Sequence, residues 1–146
     1  MATIYERVDA LELAVTQAQS DIDTLETALA QAAISDSGWL NLPLIEGIES
    51  YGSTQVPQYR KIGNIVFIRG AVKNVLATGT IGTLPTGYRP TTTVSFIQNT
   101  SLRTGNFPMF ARYTINSGGE IRLEAISDGA SFGESKWFPI MTTFTI

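Results

Sequence analysis

The chain of 146 residues contains no cysteine and no histidine. Without cysteine it can form no disulfide, and it has no thiolate to act as a nucleophile or a metal ligand. Without histidine it lacks the imidazole of the Ser-His-Asp triad and the side chain that most metal sites use. These two absences remove the commonest designs for a hydrolase and for a zinc site, and the sequence predicts neither a metal nor another cofactor.

Long apolar runs and clusters of basic residues are missing as well. No stretch reaches the roughly 18 apolar residues that a membrane-spanning helix needs, and the N-terminus has no basic segment typical of a secretion signal. Residues 1–37 carry seven acidic residues against one base, whereas residues 38–146 carry nine bases against six acids. Because no apolar run is long enough, we expect no membrane insertion. Because those nine bases are scattered, we expect no nucleic-acid partner.

What the sequence does contain begins with a heptad repeat. Apolar residues recur at alternating steps of four and three, which places them on one narrow stripe of a helix. A lone amphipathic helix that packs on its own domain usually has a wider stripe, so the pattern predicts a parallel coiled coil between copies of this chain. The predicted oligomerisation residues are Ile4, Val8, Leu11, Val15, Ala18, Ile22, Leu25, Leu29 and Ala32.

The ends of this helix can also be assigned. Thr3 and Glu6 have the spacing of a capping box, in which each side chain accepts a hydrogen bond from the other residue's backbone amide. Residues 35–38 are Ser-Asp-Ser-Gly, a sequence that favours a helix stop. We therefore predict two domains, a helical coiled-coil oligomerisation stalk over residues 1–37 and a head over residues 38–146.

In the head, the apolar period falls toward two, which is typical of β-strands. Gly63-Asn64 predicts a hairpin that joins strands 58–61 and 65–72. A second hairpin is predicted over residues 110–126, and a last strand over residues 137–146. With six to eight short strands and no helical period, the predicted fold is mainly β with an N-terminal α-helix, and the head is an antiparallel β-sandwich or barrel.

Alternation within the strands assigns residues to faces of the sheets. Residues 65–68 are all apolar, so we expect this strand to be covered on both faces, the second face by a neighbouring protomer. Trp39 is interpreted as a packing residue at the junction of stalk and head. In the hairpin over residues 110–126, the residues expected on the core face are Ala111, Tyr113, Ile115, Ile121, Leu123 and Ala125, and those expected on the outer face are Arg112, Thr114, Arg122 and Glu124.

Two segments carry a resemblance to a known family. Tyr59–Val66, with the sequence YRKIGNIV, leads a long apolar strand, and Leu84–Pro90, with the sequence LPTGYRP, comes before an aromatic-rich hairpin. This arrangement resembles the C-terminal head domains of phage tail-fibre and baseplate receptor-binding proteins. The similarity is greatest to those of siphophages that infect lactic acid bacteria and related Gram-positive hosts.

The heptads alone do not choose between a dimer and a homotrimer. The resemblance implies a trimeric coiled-coil stalk. It implies that the three β heads bind a polysaccharide of the host cell wall. It also implies that the N-terminal end docks on other phage tail or baseplate proteins. The protein would then be located at the distal tail of the virion, after assembly in the host cytoplasm.

The acidic residues of the head show no spacing typical of a catalytic or metal site. A glycosidase places two carboxylates about 5–9.5 Å apart across the sugar. Pairs such as Glu46 with Glu49, or Asp128 with Glu134, lie on predicted loops, where carboxylates are usually solvated. No calcium loop and no phosphate-binding glycine loop is recognisable. We therefore expect that the chain is not an enzyme. Two alternatives to saccharide adhesion stay open: a saccharide depolymerase, and a structural trimeric knob of the complement-head or tumour-necrosis-factor type that binds a protein.

The candidate saccharide site combines polar groups on a strand face with a nearby aromatic ring. Arginine suits a charged wall polymer, such as one that carries glycerol phosphate, because a guanidinium contacts phosphate through two hydrogen bonds. The alternative is an ordinary solvated sheet face with a weak cross-strand ion pair, in which case the site would lie around Tyr51 and Tyr88. The predicted saccharide-binding residues are Arg103, Asn106, Arg112, Arg122, Glu124, Asp128 and Trp137. For Trp137 the alternative is burial under the last strand.

Overall fold

The structure, a computed structural model, describes residues 1–32, 35–104, 107–127 and 131–146. The chain divides into two compact units, Met1–Ile34 and Ser35–Ile146. The first unit is helical and the second is built from strands, so the predicted class of a mainly β protein with an N-terminal helix is confirmed.

The first unit contains one helix, α1 (Ile4–Ala32), as predicted. The capping box is present: Glu6 Oε2 accepts from the Thr3 amide at 2.7 Å, and Thr3 Oγ1 accepts from the Glu6 amide at 3.2 Å. The larger heptad residues from Ile4 to Leu29 are 43% to 77% exposed in this single chain. The helix therefore presents an apolar stripe that the chain itself does not cover within this unit. No helix in the described residues has the length and apolarity to cross a membrane.

The second unit contains eleven strands among the described residues, joined by turns and loops. The strands are β1 (Leu40–Asn41), β2 (Glu49–Ser50), β3 (Gln58–Ile62), β4 (Ile65–Arg69), β5 (Ala71–Lys73), β6 (Gly79–Thr83), β7 (Val94–Thr104), β8 (Phe107–Ile115), β9 (Glu120–Ile126), β10 (Trp137–Pro139) and β11 (Thr142–Thr145). They form three antiparallel sheets, with the strand orders β1-β3-β4-β11, β10-β5-β2 and β6-β9-β8-β7. Over the described residues no sheet closes on itself, so the barrel is not the form that these strands adopt.

The segment before β1 is hydrogen-bonded to the β3–β4 hairpin. The Gly63 amide donates to the Ser35 carbonyl at 2.8 Å, and the Ser37 amide donates to the Lys61 carbonyl at 2.9 Å. Asp36 forms an ion pair with Arg60. The hydrogen bond from Arg60, followed by that from the Gly38 amide, lowers the pKa of Asp36 to about 2. Residues 35–37 therefore belong structurally to the strand-built unit.

The first predicted hairpin is confirmed, but its second strand is shorter than expected. Ile62 pairs with Ile65 across a turn in which Gly63 has a positive φ of 59°. The strand that was predicted over residues 65–72 is interrupted at Gly70, whose φ is 110°. This conformation, which side chains rarely allow, moves the chain from the sheet of β4 to the sheet of β5. Within β4, burial alternates in the single chain: Val66 and Ile68 are buried, and the face of Ile65 and Phe67, which was predicted to be covered by a neighbouring protomer, is more accessible.

The last predicted strand is interrupted in the same region. Residues 140 and 141 separate β10 from β11, and the Ile140 amide donates to the Gly70 carbonyl at 2.9 Å. Because β10 pairs with β5 and β11 pairs with β4, both partners change sheet at the same level. The prediction of an unbroken strand over residues 137–146 was therefore wrong, although Phe138, Ile140 and Phe144 are buried as expected.

The second hairpin follows the predicted alternation up to a bulge. Tyr113 pairs with Leu123 and both are fully buried, whereas Arg112 pairs with Ala125. The register shift leaves Glu124 as the extra residue and turns Ala125 toward the face of Arg112. Ala125 is thus not the core-facing residue that a regular alternation predicts.

The core lies between the sheets and includes the LPTGYRP segment. Leu84 is fully buried. Its carbonyl accepts from Arg89 Nε at 2.8 Å, and its amide donates to the Gly119 carbonyl at 2.9 Å. Strand β6, just before this segment, was not predicted because its glycines and threonines lack an alternating pattern. Burial raises the pKa of Tyr113, whose hydroxyl has no hydrogen-bond partner among the described residues.

Candidate functional site

A groove of about 620 Å³ opens where the chain changes sheet at Gly70. One wall is the loop between β2 and β3, and the other is formed by the end of β4 and by the residues that join β10 to β11. Two strands that leave a common sheet cannot fill the space between them, which explains why a concave surface forms at this point. The lining residues in the described part of the chain are Ser53, Thr54, Gln55, Val56, Gln58, Arg69, Gly70, Trp137, Pro139 and Met141.

An aromatic pair stands at one end of the groove. The rings of Tyr51 and Trp137 are stacked, with centroids 5.3 Å apart and planes at 25°. The Trp137 amide donates to Ser101 Oγ at 2.9 Å, and Trp137 pairs with Lys73 in the sheet of β5. Trp137 is only half-buried, so its ring combines a fixed position with an accessible surface.

The loop that forms one wall is anchored at both ends by a single residue. The Tyr51 amide donates to the Ala71 carbonyl at 2.9 Å, and the Ala71 amide donates to the Gln55 carbonyl at 2.9 Å. Beyond the loop, the Leu42 amide donates to the Pro57 carbonyl at 2.9 Å. These backbone hydrogen bonds hold the wall in place, so the groove is largely preformed.

Arg69 lines the groove and is held in position by its neighbours. Its guanidinium lies 3.9 Å from the centroid of the Trp39 ring. Its Nε and Nη2 atoms donate to Gln58 Oε1 at 3.1 and 2.7 Å. Gln58 Nε2 in turn donates to Asn41 Oδ1 at 3.1 Å. A cation–π contact and a chain of hydrogen bonds therefore fix a positive charge on the outer face of the sheet β1-β3-β4-β11.

A second, shallower depression of about 430 Å³ adjoins the groove. It is lined by Trp39, Phe67 and the first residues of β11, and it shares Arg69 and Met141 with the groove. Met141 is 58% exposed. The two depressions thus form one continuous surface with an indole ring toward each end and Arg69 between them.

The structure brings three of the predicted site residues together on another sheet. Arg122 Nε lies 3.4 Å from Glu124 Oε1, and the same oxygen accepts from the Thr114 hydroxyl at 2.7 Å. The Thr114 hydroxyl is the main cause of a lowered pKa at Glu124, to which the charges of Arg122 and Arg112 also contribute. Thr114, Arg122 and Glu124 thus contact one another in a polar cluster on the outer face of β8 and β9. Arg112 is exposed on the same face.

The remaining predicted residues do not join that cluster in the described structure. Trp137 lines the groove instead, in the sheet of β5 and β10. Arg103 lies in β7 opposite Pro108, and its side chain is outside the described part of the structure. Asn106 and Asp128 lie outside the described residues. The predicted set is therefore divided between two surfaces as far as the structure describes it.

The residues around Arg69 were not predicted from the sequence as part of a site. Arg69 appears in the sequence as one of nine scattered bases, and Gln58 appears as the first residue of a hairpin strand. Trp39 was interpreted as a packing residue, and it does pack, although its contacts are with the guanidinium groups of Arg69 and Arg60. The break at Gly70 was the available clue, because a glycine after an unbroken apolar run often marks a bend beside a site.

The carboxylates of the head are mostly engaged in local contacts. Glu49 Oε2 lies 3.2 Å from Lys73 Nζ, and Glu120 Oε2 accepts from the Asn116 side chain at 2.7 Å. Among the described residues no group of three or more acidic side chains is placed to share a metal ion. None of the described residues that line the groove is acidic.

The fold is shared with solved proteins of one kind. No protein-family model and no curated protein sequence matches this chain. The receptor-binding protein (gp15) of Listeria phage PSA matches it with a TM-score of 0.61 and 16% identity, over 100% of this chain and 89% of that one. The head domain of lactococcal phage bIL170, a receptor-binding domain, matches with a TM-score of 0.50 and 15% identity, over 74% and 96%. The structural neighbours of this chain are thus phage receptor-binding proteins, and at these identities the likeness is one of fold.

Proposed function

We propose that this chain is a host-recognition protein of a phage tail, and that its head binds a saccharide of the host cell wall. The observation that carries the proposal is the preformed groove with a stacked Tyr51–Trp137 pair at its end. The likeness of fold to phage receptor-binding proteins supports the same conclusion.

The groove has the chemistry that a sugar requires. Aromatic rings pack against the C–H faces of a pyranose, and amide and hydroxyl groups satisfy its hydroxyls. Gln55 and Gln58 supply amides, and Ser53 and Thr54 supply hydroxyls along one wall. Because Ala71 already anchors the loop, little conformational entropy is lost when a ligand binds.

The proposed activity is adhesion without catalysis. Hydrolysis of a glycosidic bond needs a pair of carboxylates that flank the sugar. The described lining of the groove contains no carboxylate, which favours binding over depolymerisation. The third possibility, a knob that binds a protein, is compatible with the exposure of Met141 and with the aromatic pair, so the experiment below has to separate it from saccharide binding.

Incubation with purified host wall polysaccharide separates the three functions. We expect the full-length protein to retain the polymer in a pull-down, with no increase in reducing ends over hours. New reducing ends would identify a depolymerase. Absence of retention for every host polymer tested would point to a protein partner and would contradict the proposal.

We further propose that the N-terminal helix forms the coiled-coil stalk of a homotrimer and that the strand-built unit forms its saccharide-binding head. In this arrangement the exposed stripe of α1 packs against its copies, and three heads are linked. With effective concentrations in the millimolar range, linkage can raise avidity about 10²- to 10⁴-fold without any new contact. The N-terminal end would join other tail or baseplate proteins in the virion.

The oligomeric state is directly measurable. Light scattering on the full-length protein is expected to give about three times the chain mass of 15.8 kDa. The physical reason is the exposure of the heptad residues in the single chain, which only copies of the same stripe cover efficiently. A mass of twice the chain mass would replace the trimer by a dimer, and the mass of one chain, 15.8 kDa, at every concentration would refute the coiled coil.

A further inference from the structure

Arg69 is the only charged residue among the described residues that line either depression. It belongs to both of them, so a ligand that extends from Trp137 toward Trp39 passes over its guanidinium. The guanidinium of Arg60 lies 5.8 Å from the centroid of the Trp39 ring, and its charge is neutralised by an ion pair with Asp36. The charge that the ligand meets at the centre of this surface is therefore positive.

The guanidinium of Arg69 also has a restricted orientation and N–H donors that remain for a ligand. It has five N–H donors, and Gln58 Oε1 is the acceptor that the described structure provides for two of its nitrogen atoms. The ring of Trp39 covers one face of the group at 3.9 Å and limits its rotation. A fixed fork with spare donors is suited to an oxyanion, which accepts two parallel hydrogen bonds from it.

We propose that Arg69 is the specificity-determining residue of the groove, and that it selects wall polymers that carry an oxyanion between neighbouring units. The oxyanion is a phosphodiester or a carboxylate, because both present two acceptor oxygens. Gln58 and Trp39 are positioning residues for this guanidinium. This inference rests on the proposed function, since it names the chemical class of saccharide polymer that the groove takes.

Three polymers of matched length test the proposal by calorimetry on the full-length protein: a glycerol-phosphate polymer, a polyuronate and a neutral glucan. We expect the wild type to prefer at least one anionic polymer to the glucan. Arg69→Gln should lower affinity for that polymer roughly 10- to 100-fold, the range for a lost charge-assisted contact. The ratio of the affinities for that polymer and for the glucan should therefore fall. The polymer that is preferred identifies the oxyanion as phosphate or carboxylate.

Gln58→Glu is the sharper variant because it is almost isosteric and adds a carboxylate where Gln58 Oε1 already contacts Arg69. The new internal ion pair should compete with the ligand and remove the preference for anionic polymers, while thermal stability is kept. Thr92→Glu, on an exposed bend, adds the same charge elsewhere and is the matched control. It should bind the anionic polymer like the wild type.

The possible failures can be distinguished. If the wild type binds the anionic polymer and the glucan equally, or if Arg69→Gln and Gln58→Glu bind like the wild type, the inference is wrong and the proposed function stands. If only the double variant Arg112→Gln/Arg122→Gln loses the anionic polymer, the charge is recognised on the sheet of β8 and β9, and the inference is again wrong. If no polymer of any class is bound, the proposed function itself fails.

Discussion

Gly70→Ala is expected to destabilise the strand-built unit by roughly 2–5 kcal/mol. Gly70 has a φ of 110°, a conformation that is strained for any residue with a side chain. A Cβ at this position would lie 2.5 Å from the Val56 carbonyl oxygen and 2.6 Å from Pro57 Cα. Both neighbours are backbone atoms, and they belong to the loop that Ala71 anchors, so relief of the clash requires movement of the chain.

Gly52→Ala separates the two causes of this loss. Gly52 has a comparable φ of 78°, but no atom lies within 4 Å of an added Cβ. We expect Gly52→Ala to cost only the conformational part, about 1 kcal/mol. Urea unfolding of both variants measures the difference. Equal losses for the two glycines would show that the close approach at Gly70 contributes nothing to stability.

Gly70 also links stability to the groove. Its carbonyl accepts from Ile140, which fixes the point where β10 passes into β11. A Gly70→Ala chain that still folds must displace either the loop wall or this crossover. Any such variant that remains soluble should therefore bind wall polymer more weakly, even at a temperature where it is fully folded.

Trp137→Ala is expected to weaken retention of the host wall polymer strongly. Truncation of a tryptophan that packs against a ligand typically costs about 2 kcal/mol or more, which is roughly 30-fold in affinity for one site. In the proposed trimer the loss applies to each of the linked sites, so retention of a long polymer should fall further than binding of a short oligomer. Calorimetry with the oligomer and pull-down with the polymer measure the two effects.

The controls for Trp137 use aromatic residues of this chain. Trp137→Phe keeps a ring that can stack on Tyr51 and should recover a large part of the affinity. Phe110 is 46% exposed on β8, so Phe110→Ala removes an accessible ring from another sheet and should bind like the parent. If Trp137→Ala binds the short oligomer as tightly as the parent at equal thermal stability, the groove is not the saccharide site.

Local sequence patterns were enough to predict the helix and the two hairpins of this protein. The heptad steps and the Thr3–Glu6 pair predicted α1 and its first turn, and both are present. Gly63-Asn64 predicted the first hairpin. The alternation of residues 111–123 predicted which side chains are buried. These features depend on neighbours within a few residues, because the periods of a helix and of a strand are local properties of the backbone.

The places where the strands break were not predictable in the same way. Whether the chain continues past Gly70 or changes sheet depends on Val56 and Pro57, which approach from another part of the sequence. The bulge that turns Ala125 outward depends on the register with β8. The interruption between β10 and β11 follows the one at Gly70, since Ile140 is bonded to it. Each break is a response to a distant partner that a single-sequence pattern does not name.

The candidate groove shows the same division most clearly. From the sequence alone, Trp137 was selected because an aromatic ring near polar loops suits a sugar, and that local chemistry is retained in the groove. Arg69, Gln58 and Trp39 come together only because β4, β3 and the residue before β1 lie side by side. Sequence by itself determined the helix, the hairpins and the buried faces, because these follow from the periodicity of neighbouring residues. The tertiary structure alone decided which charge and which rings share one surface, because that depends on contacts between residues far apart in the chain.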